Sequence, residues 1–200
     1  MSRHLVWLSG FALFASLSGC GGGADSEIPA SSTPLVTPSS VSNASQPVSA
    51  TASSAADTTC GLSSFQTELL RRINAVRASG ASCGSRGDFP AVAAVSWQST
   101  LSSAAAAHSQ EMARAQYFSH TDLSGHDAGY RITQAGYAWS AWAENIAAGQ
   151  TSVEQVMSSW IASPGHCANL MSAQVTQVAV ACTRADNATY YWTLDLARPA

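Results

Sequence analysis

The chain has 200 residues, enough for one domain with length to spare. Charged residues make up 10% of it, the formal net charge is −3, and all nine basic residues are arginine, so there is no basic patch of the kind that nucleic acid requires. The acidic excess is too mild to imply a cationic substrate.

Residues 1–19 read as an export signal. Arg3 and His4 form a short polar start, and "LVWLSGFALFASL" follows, an apolar run too short for a comfortable membrane span. It closes on "LSGC", Leu17 to Cys20, which resembles a bacterial lipobox. That resemblance implies cleavage before Cys20 and a diacylglyceryl group on its thiol, with each buried methylene contributing about 0.8 kcal/mol to anchoring. The alternative is an ordinary secretory peptide cut near Gly19. Gly21, rather than Asp, after the cysteine implies outer-membrane sorting if the cell is Gram-negative.

Residues 20–59 are a different material, rich in Ser, Thr, Ala, Pro and Gly and free of aromatic residues. Such a segment buries too little apolar surface to offset its ordering entropy, so it reads as a disordered tether. A flexible coil of that length spans roughly 35 Å.

The folded part is expected from residue 60 to residue 200. "SSFQTELLRRINAVRASG" places Phe65, Leu69, Ile73 and Val76 at helical spacing, with Ser63 and Gln66 as a capping box and Gly80 past the end. "STLSSAAAAHSQEMARAQYF" is a second helix whose apolar side runs through Leu101, Ala105, His108 and Met112. "HDAGYRITQAG" is a short third. The fourth, "TSVEQVMSSWIAS", matches the helical template at Val153, Val156, Met157, Trp160 and Ile161, with Thr151 and Glu154 as its capping box. "QVAVACT" and "TYYWTLDLA" read as an antiparallel hairpin around the turn-like "RADNA", and "WAENIAAG" adds a third strand. About four helices around a small antiparallel sheet make the fold class α+β.

Five cysteines fit an exported protein. With Cys20 lipidated, Cys60, Cys83, Cys167 and Cys182 remain, an even set that reads as two disulfides. The expected pairs are Cys60–Cys83 and Cys167–Cys182, each closing one local unit. A structural zinc site lacks its C-x-x-C spacing.

Three residues stand out for chemistry. In "SPGHCANLM" the residue before proline avoids the helical region, so the fourth helix should stop near Ser163, Gly165 should let the chain turn, and His166 should open a brief helical turn. At a helix N-terminus the dipole disfavours a charged ring, and a neutral imidazole binds metal or accepts a proton. His120 ends "AQYFSH" after the second helix. Glu144 sits in "WAENIAAG", a run otherwise low in charge, where a carboxylate wants a partner. Other polar residues read more plainly: His108 as a packed histidine, His126 as solvated, Glu154 as a cap, Glu111 as solvated, and Asn145 and Asn169 as braces for local backbone. Neither G-x-S-x-G nor H-E-x-x-H occurs.

Taken in order, "AAAHSQEMARAQYFSH", "AENIAAG", "VMSSWIASPGHCANLM", "VAVACT" and "YYWTLDLA" resemble the CAP superfamily of sperm-coating, cysteine-rich secretory, venom-antigen and plant pathogenesis-related proteins, its bacterial members most closely. The resemblance covers about residues 64–197. It implies an α-β-α sandwich with a central antiparallel sheet and a shallow groove lined in much of the family by two histidines and two glutamates. His120, Glu144 and His166 match three of the four. The fourth, expected shortly after Trp160, has no counterpart, since "WIASPGH" offers Ser163 instead.

Three functions are compatible with that reading. The preferred one is a membrane-tethered binding or interaction module whose groove takes a divalent metal such as Zn²⁺, a lipid or sterol, or an envelope protein, without nucleic acid. The alternative is a Zn-dependent hydrolase or peptidase of the cell envelope, with two imidazoles and a carboxylate holding the metal. In the third, a tethered envelope protein keeps only a vestigial groove.

Overall fold

The computed structural model describes residues 57–200. The export signal, Cys20 and nearly all of the expected tether lie outside them. No helix among the described residues is long and apolar enough to cross a membrane.

The four-residue spacing of Phe65, Leu69 and Ile73 becomes helix α1 (Phe65–Ser79), with all three side chains buried. The fourth inward position belongs to Arg77 rather than Val76, which is half-buried. The Arg77 guanidinium is paid for by backbone carbonyls, donating to those of Ala93, Leu170 and Ser172 at 2.7–2.9 Å. The expected capping box at Ser63 does not form: Ser64 precedes the helix at φ 53° with no side-chain cap. Gly80 ends it at φ 73°, where a Cβ would lie 2.8 Å from the Phe89 carbonyl oxygen. Two short strands follow, β1 (Ala81–Ser82) and β2 (Asp88–Phe89), paired with each other.

The main sheet among the described residues has four strands, in the order β3 (Ser96–Trp97), β5 (Gln177–Arg184), β6 (Tyr190–Pro199) and β4 (Trp139–Ala148). The expected hairpin is β5 and β6, and the third strand is β4, antiparallel to β6. Ser96–Trp97 adds a short parallel strand, β3, on the other side of β5. Strand alternation then sorts the two faces. Val178, Val180, Leu194 and Leu196 pack with α1 and with α4 (Val153–Ala162). Ala179 and Ala197 point the other way, against Leu101 and Ala104 of helix α2 (Ser99–Ala115). Small residues on both partners let α2 lie close over β5 and β6. Short helices α3 (Ala128–Gln134) and α5 (Pro164–Leu170) bring the α-helices among the described residues to five, one more than expected, and the result is the expected α+β sandwich.

Two local expectations shift by a residue or two. The fourth helix is capped by Ser152, whose hydroxyl accepts from Gln155 N, while Gln155 Oε1 accepts from Thr151 N. The capping residue is therefore Ser152, not Thr151, and Glu154 is no cap. At the next corner, Ser163 in extended conformation makes the break, and α5 starts at Pro164, whose fixed φ and missing N–H suit a first helical position. Gly165 is helical, and His166 is the third residue of α5 rather than its first.

The disulfide pairing is corrected. The bonds are Cys60–Cys182 and Cys83–Cys167, not Cys60–Cys83 and Cys167–Cys182. The reason lies in chain path. Residues 58–60 run beside β5, with Cys182 N donating to Thr58 O and Cys60 N to Cys182 O. Cys83 sits in the turn after α1, which packs against α5 and buries Cys83 with Cys167 and Met171. Each bond therefore joins segments that are remote in sequence and adjacent in the fold. With sequence separations of 122 and 84 residues, each removes on the order of 4 to 5 kcal/mol of unfolded-chain entropy in the loop-closure account.

Candidate functional site

The site forms where the two helical layers meet beside β4, at the end of the sheet order. His120 comes from the loop after α2, and His166 comes from α5. Their ring centroids are 6.3 Å apart at 60° between planes. Glu144, in mid-strand, is only 2% exposed in its side chain, whereas that of His120 is 53% exposed. His120 Nδ1 donates to Glu144 Oε1 at 2.7 Å. The three residues singled out from the sequence therefore come together.

Glu144 finds its second partner in Arg131 of α3, which was not anticipated. Arg131 Nη2 donates to Glu144 Oε2 at 2.5 Å, and Nη1 donates to the carbonyls of His120 at 3.1 Å and His126 at 3.0 Å. Both carboxylate oxygens thus hold donors, which meets the cost of burying the charge. With a carboxylate on Nδ1, that nitrogen carries the proton, and Nε2 of a neutral His120 keeps its lone pair.

Asp195 is the second residue that sequence reasoning missed. It lies directly across from Glu144 in the β4–β6 register and is 1% exposed, with Oδ1 unpartnered. Burial pushes its carboxyl well above the usual range, the Glu144 charge pushes the same way, and Arg131 opposes them. The signal was available: Asp195 is the lone charge in "YYWTLDLA", the same criterion that singled out Glu144.

The second imidazole is held through its backbone. Asn145 Nδ2 donates to His166 O at 3.1 Å, and Asn169 Nδ2 donates to Glu144 O and to Asn145 Oδ1. The two asparagines clamp α5 to β4, as expected of backbone braces. The Cys83–Cys167 bond pins the same corner to the loop after α1, not to the hairpin. Burial lowers the His166 pKa, with His120 adding to it. The expected preference for a neutral ring therefore holds in direction, with burial as its main cause.

His108 is packed, as expected, and 1% exposed. Its Nε2 donates to the Ser119 carbonyl at 2.9 Å, which steadies the backbone just before His120. His126 is not merely solvated: its ring stacks on Tyr130 at 3.8 Å and faces Asp122 at 3.2 Å. Glu111, expected in solvent, accepts a hydrogen bond from the Tyr117 hydroxyl.

Two cavities flank the imidazole pair. One of about 330 Å³ is walled by His120, Glu144, Trp142 and Asn169. The other, of about 440 Å³, is lined by His166, Ser159 and Ser163 together with the apolar Phe118, Ile146 and Ala148. Such sizes fall within the range of small-ligand pockets. Among the described residues, no group of three or more His, Cys, Asp or Glu side chains is arranged to hold a metal ion. Glu144 does not fit as a direct ligand, because both of its oxygens are engaged. It fits instead as the carboxylate behind a ligating histidine.

Comparison with known proteins agrees with this architecture. An outer surface protein of Borrelia burgdorferi superposes with a TM-score of 0.58 at 16% identity, covering 67% of this chain and 92% of that one. An extracellular protein of Bacillus anthracis containing an SCP domain gives 0.52 at 20% identity, over 67% of this chain and 41% of that one. Venom allergen-like protein 4 of Schistosoma mansoni gives 0.50 at 13% identity, over 70% and 91%. At these identities the likeness is one of fold. In sequence, the Bacillus subtilis protein YkwD is 33% identical over 81 residues, a match spanning 40% of this chain and 32% of that relative. The family model described as "Cysteine-rich secretory protein family" matches residues 70–196, most of the folded part, and the chain belongs to that family, CAP.

Proposed function

We propose that this protein is an exported, membrane-tethered CAP domain that binds a ligand across its groove through the paired imidazoles of His120 and His166. The observation that carries this is their juxtaposition at 6.3 Å, with Glu144 buried behind one ring. Export is supported by the extracellular and outer-surface descriptions of the Bacillus anthracis and Borrelia proteins of like fold. Lipidation at Cys20 rests on the lipobox-like "LSGC".

The ligand class that best suits a facing pair of imidazoles is a divalent metal such as Zn²⁺, held by His120 and His166. A bound metal would supply a Lewis acid able to lower the pKa of a water. A hydrolytic zinc centre has three protein ligands, and engagement of Glu144 leaves two here. This favours binding over hydrolysis. A lipid or sterol is the second ligand class, supported by the apolar wall of the cavity beside His166.

The test is calorimetric titration of the full mature chain with Zn²⁺, repeated for His120→Ala and His166→Ala. Uptake by the wild type and its loss in both variants is the expected result. No uptake by the wild type, or equal uptake by the variants, would reject a metal site at these residues. Sterol or fatty-acid binding that survives chelation would assign the groove to a lipid. For the anchor, mass spectrometry of the mature N-terminus should find an acylated Cys20; an unmodified terminus elsewhere would reject it.

A further inference from the structure

Two buried carboxylates, Glu144 and Asp195, face each other across the β4–β6 pairing, and the guanidinium in contact with this pair is committed to one of them. Arg131 also holds the loop that carries His120 at both ends. One nitrogen, Nη1, reaches the carbonyls of His120 and His126, while Asp122 Oδ1 inside the loop accepts from the amides of Ser124 and His126. The loop is therefore closed by side chains from within and from below.

We infer that Arg131 is the positioning residue that determines which nitrogen of the His120 ring faces the groove. A glutamate side chain has free torsions, and either oxygen can serve either donor. With Arg131 Nη2 on Oε2, Oε1 is left aimed at the His120 ring. With Nη1 on the His120 carbonyl, the backbone from which the ring swings is fixed as well. The two constraints together put Nδ1–H against the sheet and present the Nε2 lone pair to the groove. One planar fork makes all these bonds at once; a lysine is a point donor on a flexible stem and does not span them. Asp195 does not compete for the fork, since its burial beside the Glu144 charge favours its neutral form.

This inference rests on the reading that His120 faces a ligand, but it can be tested without one. The experiment is nitrogen-15 NMR of histidine-labelled full mature chain, which reports the His120 tautomer, in the wild type, Arg131→Gln and Arg131→Lys. The wild type should show His120 protonated at Nδ1. Arg131→Gln should give a mixture of tautomers, and Arg131→Lys an intermediate. The same samples titrated with Zn²⁺ should lose about 10- to 100-fold in affinity in Arg131→Gln, the usual effect of removing support behind a ligand. A folded Arg131→Gln protein with the wild-type tautomer and wild-type Zn²⁺ affinity would overturn the assignment. Should that variant fail to fold, Arg131→Lys decides: an unchanged tautomer there shows that the fork is not needed. If the wild type takes up no Zn²⁺, the metal reading of the groove fails, while the tautomer comparison still stands or falls by itself.

Discussion

Glu144 and Asp195 are opposite neighbours on antiparallel strands, yet they are held in opposite ways. Glu144 accepts from both His120 and Arg131, whereas Asp195 is buried with one oxygen unpartnered. Like charges so close on one sheet face repel, and with Arg131 paired to Glu144, burial and the Glu144 charge push the Asp195 carboxyl well above its usual range.

Asp195 should make the fold sensitive to rising pH. Its carboxyl is raised above 3.8 in the folded protein, so the native state binds more protons than the unfolded chain above that value. Its contribution is full below 3.8 and declines as pH rises toward and through the raised value. Asp195→Asn should remove this slope and match or exceed the wild type at the alkaline end. Urea midpoints measured across pH for both proteins test it; parallel curves would refute the assignment.

The buried His108 acts in the other direction. Burial, the leading cause, lowers its pKa below 6.5, so the unfolded chain binds more protons as pH falls under 6.5. Stability from this residue is full above 6.5 and drains on acidification. Replacement by Gln, which keeps a donor for the Ser119 carbonyl, should flatten that limb of the melting-temperature profile between neutral and mildly acid pH. His166 contributes with the same sign and should remain visible in the variant.

Gly129 is a packing requirement for the helix that carries Arg131. A Cβ there would lie 2.5 Å from Trp142 Nε1. Alanine gains up to about 1 kcal/mol in helix propensity over glycine. Overpacking against a rigid indole costs about 1–3 kcal/mol, so the net effect of Gly129→Ala should be destabilising. Because α3 must shift away from β4, the Arg131–Glu144 contact should weaken too. Chemical denaturation gives the first effect and the His120 tautomer the second.

Non-reducing peptide mapping should recover Cys60 linked to Cys182 and Cys83 linked to Cys167. Replacing Cys83 and Cys167 together by serine should cost about 2–5 kcal/mol. It should also loosen the α5 corner, read as faster amide exchange at His166 than the stability loss alone explains.

The inward faces of the helices could be read from periodicity because each turn repeats the same local geometry. Leu101, Ala105, His108 and Met112 were legible as one buried stripe, and all four are buried. The lone carboxylate in "WAENIAAG" marked Glu144, the Pro-Gly corner marked His166, the end of "AQYFSH" marked His120, and the resemblance to the CAP family set the three together. Applied to "YYWTLDLA", the rule that marked Glu144 would have found Asp195. Arg131 escaped because its partners are 5 to 13 residues away, on a loop and a strand whose approach to α3 no local pattern encodes.

By itself, then, the sequence determined four of the helices, the hairpin and the even set of cysteines, because periodicity and turn chemistry act over a few residues, and the order of its motifs singled out His120, Glu144 and His166. Tertiary structure decided the disulfide partners, the commitment of Glu144 to Arg131 and the burial that raises the Asp195 pKa. Each of these depends on burial and on distance between segments that only the packed chain brings together.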